Sequence, residues 1–199
     1  MKSLFQKTEF IVALVLIGLS LVIGMINPTF FSLSNLFDTM RSSTVVGIFA
    51  LGAMIVIISG GIDVSFTAIA IFSLYATTKL MLAWQYQGNV LLMYVIAAII
   101  GLLLGLINAW LIYSFRLPTL IATLGTSSLI RGFMLFFIDS QYIRNIPAGM
   151  AQFGKAQWFV TQIGDGPAKT SLHPGFFILV AMAIVVFLIM KYTMVGRGI

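Results

Sequence analysis

Few residues in this chain could do chemistry, and the sharpest cluster is Ser59-Gly60-Gly61-Ile62-Asp63-Val64-Ser65. Two glycines precede a carboxylate flanked by hydroxyls. Glycine lets a chain leave helical geometry and frees backbone N–H and C=O groups. Inside a membrane such backbone persists only when packed in protein or lining a wet cavity, and an ionisable side chain beside it tends to mark function. Two readings stand for Asp63. It caps the following helix in a tight turn at the membrane face, or it lies in a permeation path. Arg131 is the second oddity: it interrupts an apolar block about 10 Å from its end. Either it snorkels to head groups or it faces the interior and pairs with a carboxylate or a polar substrate.

Ala97, Gly101, Gly105 and Ala109 recur every four residues, a stripe of small side chains that lets another helix approach closely. Asn108 lies one position off that stripe and can hydrogen-bond across helices. A catalytic constellation is not visible. His173 is the single histidine, and no clustered carboxylates offer a metal site. The stretch Gly164-Asp165-Gly166-Pro167-Ala168-Lys169-Thr170 lacks the glycine that a phosphate-binding loop places before its lysine. The chain thus shows no means of binding ATP, no cofactor site and no enzyme activity of its own.

Composition sets the class of element that must position these residues. The chain has 199 residues, of which 60% are hydrophobic and 8% charged, against about 25% charged in a soluble domain. Its mean hydropathy is +1.10. There is too little polar surface to coat a globule in water, which excludes a soluble enzyme, a disordered tail and a nucleic-acid module. The net charge of +6 comes from single basic residues between apolar blocks, the pattern of loops at lipid head groups. Cysteine is absent.

Crossing a bilayer takes about 20 apolar residues as helix. Six blocks predict spans near 10–26, 44–58, 65–84, 90–115, 119–138 and 175–190. The first follows Lys2 and Lys7 without a small-residue cleavage site, so it reads as a retained anchor. Asn27-Pro28 ends it, Ser32-Leu33-Ser34-Asn35 offers an N-cap, Gln85 to Asn89 forms a tight turn, and Pro118 starts a helix. Residues 139–174 read as one long loop. Thr44 to Ile62 is roughly 28 Å of helix and would carry Asp63 across the membrane. Basic residues outside the long loop favour both termini inside and residues 139–174 outside. The prediction is an all-α, polytopic transmembrane helical bundle forming a single domain over 1–199.

The ordered motifs resemble those of bacterial ABC-transporter permeases of the ribose/xylose/arabinose class, to which autoinducer-2 importers belong. Ser59-Gly60-Gly61-Ile62-Asp63-Val64-Ser65 is similar to that family's signature, although Phe66-Thr67 follows where the family has a residue-Gly pair. Asn27-Pro28-Thr29-Phe30-Phe31 with Asn35-Leu36, Asn108-Ala109, Leu117-Pro118-Thr119-Leu120-Ile121-Ala122-Thr123-Leu124-Gly125, Arg131-Gly132 and Gly196-Arg197 fall in family order. The resemblance covers the N-terminal half to two-thirds of such a permease, so the chain reads as an incomplete domain.

The resemblance implies a translocation subunit in a bacterial inner membrane, part of a binding-protein-dependent importer of a monosaccharide or related sugar. Its implied partners are a cytoplasmic ATP-binding subunit, an extracytoplasmic sugar-binding protein, a second permease subunit and the lipid bilayer, with no nucleic acid. A neutral sugar needs hydrogen-bonding groups, which makes Ser59, Gly60, Gly61, Asp63, Ser65, Asn108, Thr123, Thr126 and Arg131 the substrate-path candidates. Trp158 and Phe159 are candidate anchors for the binding protein, and Gly196 and Arg197 for the ATP-binding subunit. The alternatives are a permease for branched-chain amino acids or nucleosides, in which Asp63 and Arg131 would pair around a zwitterion, or a truncated fragment that does not transport.

Overall fold

Uncharged runs of Leu, Ile, Val and Phe satisfy their backbone in lipid only as helix, because each N–H then finds a carbonyl in its own segment. The computed structural model describes residues 8–137, 143–162, 169–193 and 196. Its long helices are α1 (Thr8–Ile26), α2 (Leu33–Ile58), α3 (Phe66–Ala83), α4 (Val90–Phe115), α5 (Thr119–Phe137) and, last in the chain, α7 (Gly175–Tyr192). Between α5 and α7 come a short helix, α6 (Ala148–Gly154), and the strands β1 (Trp158–Gln162) and β2 (Lys169–Leu172). Among the described residues, α2, α3, α4, α5 and α7 are long and apolar enough to cross a membrane, and the apolar part of α1, Phe10–Ile26, is shorter. This is a helical polytopic membrane protein.

Two boundaries differ from the sequence prediction. Helix α2 begins at Leu33 rather than near Thr44. Ser32 starts it, its hydroxyl accepting the Asn35 N–H at 3.3 Å. Once nucleated, a helix adds each residue cheaply, and the hydroxyls of Thr39, Ser42 and Thr44 donate to carbonyls one turn back instead of breaking it. The predicted long loop is also partly ordered: it contains α6 and the antiparallel β1–β2 pair.

The chain divides into two compact units, Met1–Thr44 with Gln157–Ile178, and Val45–Ala156 with Leu179–Ile199. In the first, a 3-10 turn at Pro28–Phe31 follows α1. The Asn27 carboxamide oxygen accepts from the Thr29 N–H at 3.1 Å and the Thr29 hydroxyl at 2.6 Å. The Asn35 amide donates to the Phe30 carbonyl at 2.7 Å, so both asparagines of the Asn27-to-Leu36 motif hold this turn. Strands β1 and β2 pair Thr161 with Thr170 and Gln162 with Lys169. His173 Nδ1 accepts the Gly175 N–H at 3.0 Å and so caps α7.

In the second unit α3 packs against α4 and α5, and α4 against α5 and α6. What is buried there is small or polar: Ala68, Ser73, Thr77, Thr78, Asn108, Ala122, Thr123 and Ser127, with Met81, Met93 and Ile130. Lipid removes the hydrophobic drive between helices, so close contact and interhelical hydrogen bonds replace it. Helix α6 lies on the α3–α4 turn. Its Ala148 N–H donates to the Gln87 side chain at 2.8 Å, and Gly149 meets the Gly88 carbonyl where a Cβ would not fit.

Candidate functional site

The Ser59–Ser65 segment is built from its glycines outward. The Gly61 N–H donates to the Val56 carbonyl and the Gly60 N–H to the Ile57 carbonyl, each at 3.0 Å. This pair of bonds is the Schellman cap that closes α2. It requires a left-handed residue, and Gly60 supplies it at φ +78°. Gly61 instead permits a close approach to α5, since a Cβ there would come within 3.3 Å of Thr119 Cγ2. The chain then runs non-helically until α3 begins.

Its freed backbone groups find partners on α5. The Ile62 N–H donates to the Thr119 hydroxyl at 3.1 Å, and the Val64 N–H to the Thr123 hydroxyl at 3.3 Å. Thr123 in turn donates to the Thr119 carbonyl at 2.9 Å. On the other side, Asn108 of α4 donates to the Ser65 hydroxyl at 2.7 Å. The Ser65 hydroxyl donates to Asp63, 2.6 Å away, and its N–H donates to the same carboxylate oxygen at 2.6 Å. The direction is fixed: Ser65 gives its one hydroxyl hydrogen to the carboxylate, so it must accept from the Asn108 amide. Ser65 is 0% exposed and Asn108 6%.

This geometry corrects one part of the Asp63 reading and refines the other. Ser65, not Asp63, is the residue that precedes α3, and its side chain makes no capping bond. Asp63 instead holds Ser65 by an Asx-type turn. Asn108 lies seven positions before the end of α4, about 10 Å along the helix. Ser65 therefore lies about 10 Å in from the α4 end, while Ile62 stands beside Thr119 at the start of α5.

Asp63 also lines a cavity of about 790 Å³ between α3 and α4, with α6 at its far end. The wall is mostly apolar. Ala97, Gly101 and Gly105 of the small-residue stripe line it, while Ala109 is exposed. Gly101 faces Ser73, and Gly105 has open space around it.

The remaining candidates lie elsewhere. The Ser59 hydroxyl donates to the Val56 carbonyl at 2.7 Å and stays exposed. Thr126 is half-buried and donates back to Ala122 at 3.1 Å within α5. Arg131 is exposed and does not line the cavity. Among the described residues no ion pair joins it to Asp63. Trp158 and Phe159 are exposed on β1, their rings 5.5 and 5.7 Å from that of Phe177. The Gly196 N–H donates to the Thr193 hydroxyl at 3.3 Å. Arg197 and the 163–168 part of the stretch compared with a phosphate loop lie outside the described residues. Sequence reasoning did not single out Thr119, which meets the break, or Ser73 and Thr77, which line the cavity. Thr119 follows Pro118 and was legible as a helix start, while Ser73 and Thr77 gave only a four-residue hydroxyl spacing.

A family model described as "branched-chain amino acid transport system / permease component" matches residues 35–199. The chain belongs to this permease family. Among its relatives, the autoinducer 2 import system permease protein of Enterobacter sp. (strain 638) is 30% identical over 82% of this chain and 50% of its own length. The ribose import permease protein of Haemophilus influenzae is 31% identical over 100% of this chain and 57% of its own. The permease chain thus spans about half the length of the curated relatives it matches. No solved structure matches it. With its apolar helices and these relatives, the permease chain is a multi-pass protein of a bacterial inner membrane.

Proposed function

We propose that this chain forms part of the translocation path of an ABC importer for a neutral sugar or related polyol. The observation that carries this reading is the cavity between α3 and α4. Asp63 lines it at one end, and no Lys or Arg is among the described residues of its wall. A zwitterionic amino acid would need a cation for its carboxylate. Arg131, the cation expected to serve, is exposed and away from the cavity. The relatives named for ribose and autoinducer 2 support the same class. Translocation breaks no covalent bond, and the energy is to come from a separate cytoplasmic ATP-binding subunit.

An extracytoplasmic binding protein would deliver the sugar, with Trp158 and Phe159 as its docking anchors, and a second permease subunit would complete the path. Gly196 and Arg197 would approach the ATP-binding subunit. The test is uptake of labelled D-ribose and labelled L-leucine by cells carrying the gene and its neighbours. Ribose uptake lost on deletion supports the reading. Leucine uptake in its place rejects it in favour of the branched-chain alternative.

A further inference from the structure

The hydroxyls within the described helices mostly donate to a carbonyl one turn back. Thr44, Thr78, Thr123 and Thr126 do so at 2.8 to 3.1 Å. That is the ordinary way to hide a hydroxyl in an apolar medium. Ser73 and Thr77 of α3 do not. Their oxygens are buried, at 5% and 0% residue exposure, and, like Asn108 Oδ1 beside the break, have no hydrogen-bond partner among the described residues. A native structure leaves few buried polar side chains unpaired, and each such group calls for a cause.

Both residues belong to the wall of the 790 Å³ cavity. They are four apart, so they stand one above the other on one helix face, about 5–6 Å apart. Across from Ser73 the wall is Gly101, where even an added Cβ would stand 3.6 Å from the Ser73 oxygen. Ala97, one turn along α4, also lines the cavity. With small residues opposite and both residues in the cavity wall, a slight withdrawal of α4 would suffice to bring both oxygens to the lumen. The volume suits a small molecule with room to spare.

We propose that Ser73 and Thr77 are a hydrogen-bonding subsite for an uncharged, hydroxylated small molecule in this cavity. A hydroxyl both donates and accepts, and carries no charge. Two of them one helical turn apart match neighbouring hydroxyls of a polyol and offer nothing to an ammonium or a carboxylate. The proposal rests on the transport reading above and names the residues that would read the substrate. It also gives the Gly101 position a purpose beyond helix packing: a large side chain there would fill the space before Ser73.

These 199 residues contain no cysteine, so an introduced thiol is the single one in this part of the permease. Ser73→Cys and Thr77→Cys variants of the full permease, reconstituted in membrane vesicles, are treated with a small water-soluble thiol reagent with and without D-ribose. Leu117→Cys, in the turn between α4 and α5, serves as the water-facing control. The expected result is modification of both cavity thiols, slowed at least fivefold by D-ribose, with the labelling of Leu117→Cys unaffected by the sugar. Thiols that stay unmodified overturn the proposal, because the seam then never opens to water. Modification without protection by D-ribose, D-xylose or glycerol also overturns it, since the hydroxyls are then merely hydrated. If a cysteine variant misassembles, Ser73→Ala with Thr77→Val keeps the question open to test. The expected change is a rise in KM of about tenfold with kcat held, and an unchanged KM rejects the subsite. Protection in a protein that imports no sugar would reject the transport reading and leave the subsite standing.

Discussion

Asp63 carries two duties that a substitution can separate. Its carboxylate oxygen accepts both the N–H and the hydroxyl of Ser65, and Ser65 in turn takes the Asn108 amide. Asparagine offers one carbonyl oxygen at the same place, so Asp63→Asn keeps the acceptor and loses only charge. Alanine loses both. Asp63→Ala is expected to lower stability by about 1–2 kcal/mol, the cost of stranding a buried donor, and Asp63→Asn by much less. Thermal unfolding in detergent reads this difference. In the uptake assay, Asp63→Ala should abolish ribose import while still inserting in the membrane. Wild-type import by that variant would remove Asp63 from the path.

Two helices hold the break between α2 and α3. Helix α5 supplies Thr119 and Thr123 to the amides of Ile62 and Val64, and α4 supplies Asn108 to Ser65. Since Ile62 lies beside the start of α5 and Ser65 near the end of α4, α3 and α5 run in one direction and α4 against them. Valine at 119 and 123 keeps the volume and removes both acceptors. The double substitution should speed hydrogen exchange at the Ile62 and Val64 amides by about tenfold or more, with little change in the middle of α3. Exchange that rises equally along α3 would mean that the threonines hold the helix itself and not the break. Elsewhere in the second unit, α6 is held through Gln87 and the close approach of Gly149 to Gly88, and Met150, Phe153 and Gly154 of this short helix line the end of the cavity.

Across the whole protein, large apolar side chains such as Leu102, Leu129 and Phe136 face outward. In water that would be an aggregation surface, whereas in lipid it is the solvated face. The α3–α4 turn and the α4–α5 turn lie at opposite ends of α4, so cysteines placed at Gln87 and Leu117 must label from opposite sides. With the N-terminus inside, Gln87→Cys should react with an impermeant reagent added to intact cells, and Leu117→Cys only after permeabilisation. The reverse pattern would invert the orientation argued from the basic residues. Labelling of both from outside would break the single crossing of α4.

The class, the helices and the place of the break all follow from the order of the amino acids. Apolar blocks of spanning length have one solution in lipid, and Gly60-Gly61 can end a helix wherever it falls. The polar turn at Gln85 to Asn89 and the start at Pro118 were legible for the same local reason. The cap at Ser32 was legible as well, but not that the helix it starts runs unbroken into the span predicted from Thr44, because the hydroxyls between bond back to their own helix. Which hydroxyls matter is a question that only packing answers. Helices apolar all round have no polar face to fix their rotation, so nothing local turns Ser73 and Thr77 toward α4, or Thr119 and Thr123 toward the break. Contact with neighbouring helices does that. It gathered Asp63, Ser65 and Asn108 into one chain of hydrogen bonds and left Arg131 outside it.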